Sequence, residues 1–177
     1  HLFQRLANSV LYSDASLRPS SDVLGRSTLE RSALWAHGIS GDLPIVLVRI
    51  NETEDLEIVR QLLRAHEYWR TKQLSADLVV INERSASYAQ ELQISLEELV
   101  RGSRLRLSPD THNMRGSIFL LRADLISSQE RALLQTVARC VLLSRRGTLS
   151  EQITRSQRAE AAEPPFANAR RPAKRQD

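Results

Sequence analysis

The chain has one cysteine, Cys140, so it holds no internal disulfide and no cysteine-based metal cluster. His37, His66 and His112 show no metal-ligand spacing. Aromatic residues make up only 5% of the sequence, so aliphatic side chains must build the core. No stretch approaches the ~20 apolar residues of a membrane span. Arg5 and Asn8 interrupt any apolar N-terminal run, and no signal peptide is read there. The chain begins at His1 rather than methionine and reads as a piece of a longer protein. A Gly-x-Ser-x-Gly elbow, a Cys–His arrangement and a persuasive carboxylate pair are all missing, so nothing argues for catalysis by this segment alone. No catalytic residue, cofactor or metal is expected.

What is present is an ordinary globular composition of 177 residues, 41% of them apolar, enough to bury a real core. The net charge of +4 is concentrated at the C-terminus. There Arg155, Arg158, Arg170, Arg171, Lys174 and Arg175 outnumber Glu160, Glu163 and Asp177. The segment "EPPFANARRPAKRQD" lacks apolar periodicity and reads as a disordered tail. A nucleic-acid binder shows a basic face with groove-reading elements, which this tail does not supply, so no nucleic-acid partner is expected.

Leu2, Phe3, Leu6, Val10 and Leu11 recur at helical spacing over residues 1–12, an amphipathic helix. Ser27 and Glu30 are spaced as a capping box for a short helix through Trp35. "PIVLVRI" at 44–50 is almost continuously apolar, the pattern of a strand buried on both faces of a parallel sheet. The helix that follows carries Glu54, Asp55 and Glu57 near its start and Arg64, Arg70 and Lys72 near its end, as the helix dipole favours. Its inward stripe is Leu56, Val59, Leu62, Leu63, His66 and Trp69.

The alternation repeats. "DLVVIN" at 77–82 is a second buried strand. A helix follows with Tyr88, Leu92, Leu96 and Leu99 inward and Gly102 as its stop. "SIFLLRA" at 117–123 is a third strand. Ser127 and Glu130 then cap a helix with Leu133, Leu134, Val137, Val141 and Leu142 inward, ended by Gly147, and Thr148–Arg158 adds a short helix. Cys140 falls on the apolar side, a buried small residue. The expected fold is α/β: a small three-layer domain with about three parallel strands in β-α-β-α-β-α order, preceded by N-terminal helices. The divisions are 1–43 (helical), 44–158 (α/β module) and 159–177 (basic tail).

Gly38-Ile39-Ser40-Gly41-Asp42 leaves a helix and enters a strand, the reverse of a phosphate-binding loop, and lacks the Lys-Ser/Thr ending. It reads as a structural turn: Gly38 in a helix-stop conformation, Gly41 in a tight turn, Asp42 capping the turn backbone. Asn51, Glu52, Asn82, Glu83 and Asp124 lie at carboxyl ends of expected strands, where α/β sheets bind ligands and where ordinary helix caps also sit. Arg49 is the one charge inside a buried strand and needs an acidic partner or a neighbouring domain. Trp35, His37, Asp42, Arg49, Asn82 and Glu83 are therefore the candidate ligand or domain contacts.

The stretches "FQRLANSVLYSDASLRPSSDVL", "LWAHGISGDLPIVLVRI", "VRQLLRAHEYWRTKQLSADLVVINE" and "SYAQELQ" together resemble cyclic β-1,2-glucan synthases over residues 1–158. The resemblance implies a very large bacterial inner-membrane glycosyltransferase with a phosphorylase-like C-terminal part. This segment would lie between two β-sandwich modules of carbohydrate-binding type and before the helical-barrel phosphorylase-like domain, on the cytoplasmic side and without membrane contact of its own. Its implied partners are the flanking domains and β-1,2-glucan. The family's catalytic acids belong to other domains, and none is carried onto this chain. A free-standing small α/β protein binding a sugar or nucleotide is the alternative. For a piece cut from a larger protein, the apolar face of the first helix (Leu2, Phe3, Leu6, Val10) is expected to be left uncovered.

Overall fold

The computed structural model describes residues 1–12, 14–84, 86–106 and 116–162. Strand β1 (Ile45–Ile50) is central: it pairs in parallel with β2 (Asp77–Asn82) on one side and β4 (Cys140–Leu143) on the other. Strand β3 (Ile118–Arg122) pairs in parallel with β2, giving a four-stranded sheet in the order β3-β2-β1-β4. Val48 stands opposite Val80 and Leu142, which fixes the register across the centre.

Alternation sorts the side chains into two cores. Val46, Val48, Ile50, Leu78, Val80, Cys140 and Leu142 face α1 (Leu2–Tyr12), α3 (Leu56–Thr71), α4 (Ala86–Leu105) and α6 (Leu149–Ala162). Ile45, Leu47, Val79, Ile81, Val141 and Leu143 face α5 (Ser128–Val137) and a 3-10 helix at Arg31–His37, against which the short α2 (Ser21–Leu24) also packs through α5. Handedness accounts for the split. The first two crossovers step outward from β1 to β2 to β3, whereas the third returns to β4. A right-handed connection running the other way places its helix on the opposite face.

The fourth strand departs from the sequence reading, which continues the fifth helix past Val141. The helix ends at Val137, Ala138 turns extended, and the Arg139 N–H donates to the Ile45 carbonyl at 2.9 Å. A run of Leu133, Leu134, Val137, Val141 and Leu142 fits helical spacing, but β1 has a second edge, and Cys140–Leu143 satisfies it. Cys140 is fully buried, and burial pushes its thiol pKa up.

Other local expectations also change. The Ser27–Glu30 box does not form: Glu30 makes no capping bond, the Ser27 hydroxyl accepts the Leu29 N–H at 3.2 Å, and the Thr28 N–H donates to Gln129 Oε1 at 3.1 Å. Gly38 does stop the 3-10 helix, at φ 76°. Gly102 does not stop α4: Ser103 beyond it is buried, and its hydroxyl donates to Glu67 of α3 at 2.6 Å. Tyr88 is exposed, with the Arg84 guanidinium 5.5 Å from its ring centre, and Ala89 takes the inward place. The apolar face of α1 is covered rather than free: Leu6 and Val10 are buried, α1 packs on α3 and α6, and Trp69 Nε1 donates to the Phe3 carbonyl at 2.8 Å. Helix α6 runs through Ala162, so residues 159–162 of the expected tail are helical; residues 163–177 lie outside the described residues.

His66 is buried in α3 and its Nε2 donates to the Ala76 carbonyl at 3.0 Å. Burial is the main reason its pKa is lowered below 6.5. The unfolded chain therefore takes up a proton that the folded one resists, and stability is full above pH 6.5 and falls as pH drops below it. Replacing His66 with Gln should flatten the slope of unfolding midpoint against pH between about 6.5 and 5; urea titrations at three pH values read this, and an unchanged slope would contradict a neutral buried His66.

Candidate functional site

The carboxyl edge of the sheet is built by helix-capping loops. After β1, the Asp55 carboxylate accepts the N–H groups of Asn51 at 2.8 Å and Glu52 at 2.9 Å. After β4, Thr148 and Glu151 form a reciprocal cap: the Thr148 N–H reaches Glu151 Oε2 at 2.8 Å and the Glu151 N–H reaches Thr148 Oγ1 at 3.2 Å. The backbone hydrogen bond from Thr148 leads the causes that hold the Glu151 carboxyl below the usual range. Gly147 precedes this cap at φ 95°, and a Cβ there would stand 2.3 Å from Glu151 Oε2. The Gln152 amide closes the end of β4, accepting from the Leu143 N–H at 3.2 Å and donating to the carbonyls of Leu143 at 2.9 Å and Gly147 at 2.8 Å.

The strand order reverses between β1 and β4, and outside the carboxyl ends at such a reversal lies the usual ligand crevice of open α/β sheets. A cavity of about 250 Å³ sits there, rimmed by Glu54, Glu57 and Gln61 on one side and Ser144, Gly147 and Thr148 on the other. The sequence reading missed this crevice because it had no β4. The Thr148-x-x-Glu151 spacing was the available signal, since it marks a new helix start just after Gly147.

The six sequence candidates fall in separate places. Arg49, Asn82 and Glu83 share the carboxyl edge. Arg49 points to the α5 side of the sheet, where its Nε donates to Glu83 Oε1 at 2.7 Å and its Nη1 to Gln135 Oε1 at 3.1 Å. Its Nη2 lies 2.6 Å from the same Glu83 oxygen, and both side chains are 21% exposed. The charge inside the strand thus finds its acid within the module. Asn82 is buried; its amide donates to the Ala89 carbonyl at 2.8 Å and its Oδ1 accepts from the Arg84 N–H at 3.1 Å, tying β2 to the start of α4.

His37 lies over the start of α5, its Nε2 2.9 Å from Glu130 Oε1. Glu130 is also half of the Ser127 capping box. The bonds from Ser127, then that from His37, bring the Glu130 carboxyl down to about 2. Trp35 is 67% exposed, and its Nε1 is pinned to the Ser40 carbonyl at 3.3 Å. Asp42 is exposed at the amino end of β1, away from Arg49 and Glu83, and the cap of its turn is the Ser40 hydroxyl, which accepts the Asp42 N–H at 3.2 Å. Gly41 is crowded from behind, with a Cβ position 2.7 Å from Arg31 Cδ at φ 77°. The glycine turn is therefore folded onto the 3-10 helix.

Asp124 is likewise held, bonded by Arg122 through Nε at 3.0 Å and Nη2 at 2.6 Å. Asp77 accepts the Ser117 N–H at 2.9 Å, and burial is the main cause that raises its pKa. Glu54 and Glu57 edge the crevice, and Glu57 accepts from Arg60 Nη1 and Gln61 Nε2, each at 3.4 Å. Among the described residues no group of three or more His, Cys, Asp or Glu is placed to hold a metal ion.

No family model matches the chain. Over 154 residues, 87% of its length, it is 42% identical to the cyclic beta-(1,2)-glucan synthase NdvB of Rhizobium meliloti (strain 1021). The chain matches a segment of a cyclic β-(1,2)-glucan synthase. It spans 5% of that synthase's length. The match is long enough to include most of the sheet and the helices on both of its faces, so the synthase contains a counterpart of this module rather than of one motif within it.

Two outcomes are expected of this edge. Arg49→Met should cost roughly 1–3 kcal/mol of unfolding free energy, because it leaves Glu83 half-buried and unpaired, and Glu83→Gln in that background should recover part of it; two additive losses in a double-mutant cycle would show that the pair is not coupled. Glu130→Gln should cost about 0.5–2 kcal/mol at pH 7, a capping loss. Because the Glu130 pKa is lowered from 4.5 to about 2, that contribution is present above pH 4.5 and lost as pH falls toward 2. The gap between variant and parent in urea midpoint should therefore close between pH 5 and about pH 2, and a gap independent of pH would be inconsistent with the lowered carboxyl.

Proposed function

We propose that this chain is a non-catalytic accessory module of a cyclic β-1,2-glucan synthase, a rigid α/β spacer that docks the flanking domains and is associated with the glucan. The observation that carries the reading is the 42% identity to a segment of such a synthase. The chemistry of the carboxyl edge supports it. A glycosyl-transfer or phosphorolysis site requires an acid and a base free to exchange protons at the substrate, whereas Asp55, Glu83, Asp124, Glu130 and Glu151 are bonded in caps and pairs that hold helices and strands together. In this reading the parent sits in the bacterial inner membrane with this module on the cytoplasmic side. Among the described residues no helix is long and apolar enough to cross a membrane.

The contact with glucan or a neighbouring domain is assigned to Trp35. Its indole is exposed, and the bond to Ser40 fixes the ring, so a sugar or an apolar side chain meets a surface that loses little entropy on binding. The second reading, a free-standing small α/β protein that binds a sugar or nucleotide at its strand edge, is favoured by the burial of α1 within the module's own core and by the crevice between β1 and β4.

One set of titrations separates the two. Nuclear magnetic resonance spectra of the chain are followed on addition of linear β-1,2-glucan oligosaccharides, glucose and uridine diphosphate. The accessory reading expects shifts around Trp35 with glucan, lost in Trp35→Ala, and no release of glucose 1-phosphate when phosphate is added. Shifts at Ser144–Thr148 with the nucleotide would favour the free-standing protein. Phosphate-dependent release of glucose 1-phosphate by the purified chain would overturn the non-catalytic reading.

A further inference from the structure

The two edges of the sheet are finished differently. At β4, the turn Ala15–Leu17 lies against the outer flank, Leu17 is buried, and α6 covers the turn. At β3, among the described residues, no strand pairs with the outer side; Arg104 Nη2 lies 3.4 Å from the Ile118 carbonyl and the Leu125 N–H donates to the Arg122 carbonyl at 3.1 Å. Phe119, Leu120 and Leu121 remain half-buried along that strand. An open edge with apolar residues on both faces is a template for another strand.

Beside this edge runs a stripe of α4. Gln93, Glu97, Arg101 and Arg104 line a groove of about 370 Å³ together with Ile118 and Leu120. The charge along the stripe runs from acid to base in the chain direction. Next to it Ile94 is 51% and Leu105 81% exposed. Such a sequence is complementary to itself when a second helix lies alongside in the opposite direction: Glu97 meets Arg101, and Ile94 meets Leu105, around a midpoint near residue 99.

The strand has a matching midpoint. Arg104 fixes the height of α4 against Ile118. From Arg104 back to residue 99 is about 7.5 Å of helix rise. From Ile118 forward to Leu120 is about 6.6 Å of strand. One two-fold axis therefore passes both through Leu120 and through the middle of the α4 stripe. We propose that a second copy of this chain docks on this face, β3 against β3 antiparallel and α4 against α4 antiparallel, continuing the sheet across an isologous interface. Opposite charges meet at both symmetry-related Glu97–Arg101 positions, the outer groups of β3 that no described residue bonds find partners, and the apolar residues flanking the groove are covered.

Sedimentation velocity of the complete 177-residue chain over a concentration series tests this, with circular dichroism confirming that each variant is folded. The chain should form a dimer. Glu97→Arg brings bases together and Arg101→Glu brings acids together, so each alone should weaken the dimer by about tenfold or more. An equimolar mixture of the two variants should restore association, because opposite charges then meet at both positions. Both side chains are exposed, and neither holds the core. A parent chain that stays monomeric at about 100 µM, singly substituted chains that dimerise as tightly as the parent, or a mixture no better than either variant would each overturn the proposal.

Discussion

The burial of β1 on both faces and both edges is the constraint on which the remaining structure depends. Val46, Val48 and Ile50 enter one core and Ile45 and Leu47 the other, so helices are required on both sides. Two partner strands are required as well, since the backbone groups of a strand in such surroundings have no water to bond. The crossover rule then decides which helix goes where: α3 and α4 lie on the outward path and α5 on the return. The position of Arg49 follows from the same alternation. At the last but one place in β1 it falls on the α5 face, at the edge of the core, where Glu83 and Gln135 are within reach.

Strands β1, β2 and β3 are legible in the sequence because each is a short apolar run bounded by polar or turn residues. Strand β4 is not. Its residues Val141 and Leu142 continue the helical spacing of Leu133, Leu134 and Val137, and what makes them a strand is their pairing with Leu47 and Val48 of β1, far away along the chain. Local pattern cannot carry that information. The two capping-box spacings make the same point. Ser127–Glu130 forms and Ser27–Glu30 does not, although the spacing is identical: the Ser27 hydroxyl accepts the Leu29 N–H instead. Of the site, Arg49 announced its need for an acid by its residue type alone, and Glu83 supplies it. The crevice between β1 and β4 stayed hidden with the strand that forms its far side.

The same bonds that make the sheet edge orderly also limit its chemistry. A carboxylate that caps a helix or pairs with an arginine is held in one direction by its donors. Asp55, Glu130 and Glu151 act in this way at the starts of helices, and Glu83 and Asp124 beside arginines. The two edges of the sheet differ: the turn Ala15–Leu17 lies against β4, and among the described residues no strand pairs with the outer side of β3.

The placement of β1 between β2 and β4 is tested most directly by native-state amide hydrogen exchange, resolved by residue. The account predicts that the slowest amides lie in β1 and β2, exchanging only on global unfolding, and that the Arg139 amide, which donates to Ile45, is protected with them. It also predicts a break in protection at the end of α5 near Ala138. Continuous helix-like protection from Ser128 through Arg146, with β1 amides exchanging at the rate of a sheet edge, would contradict it.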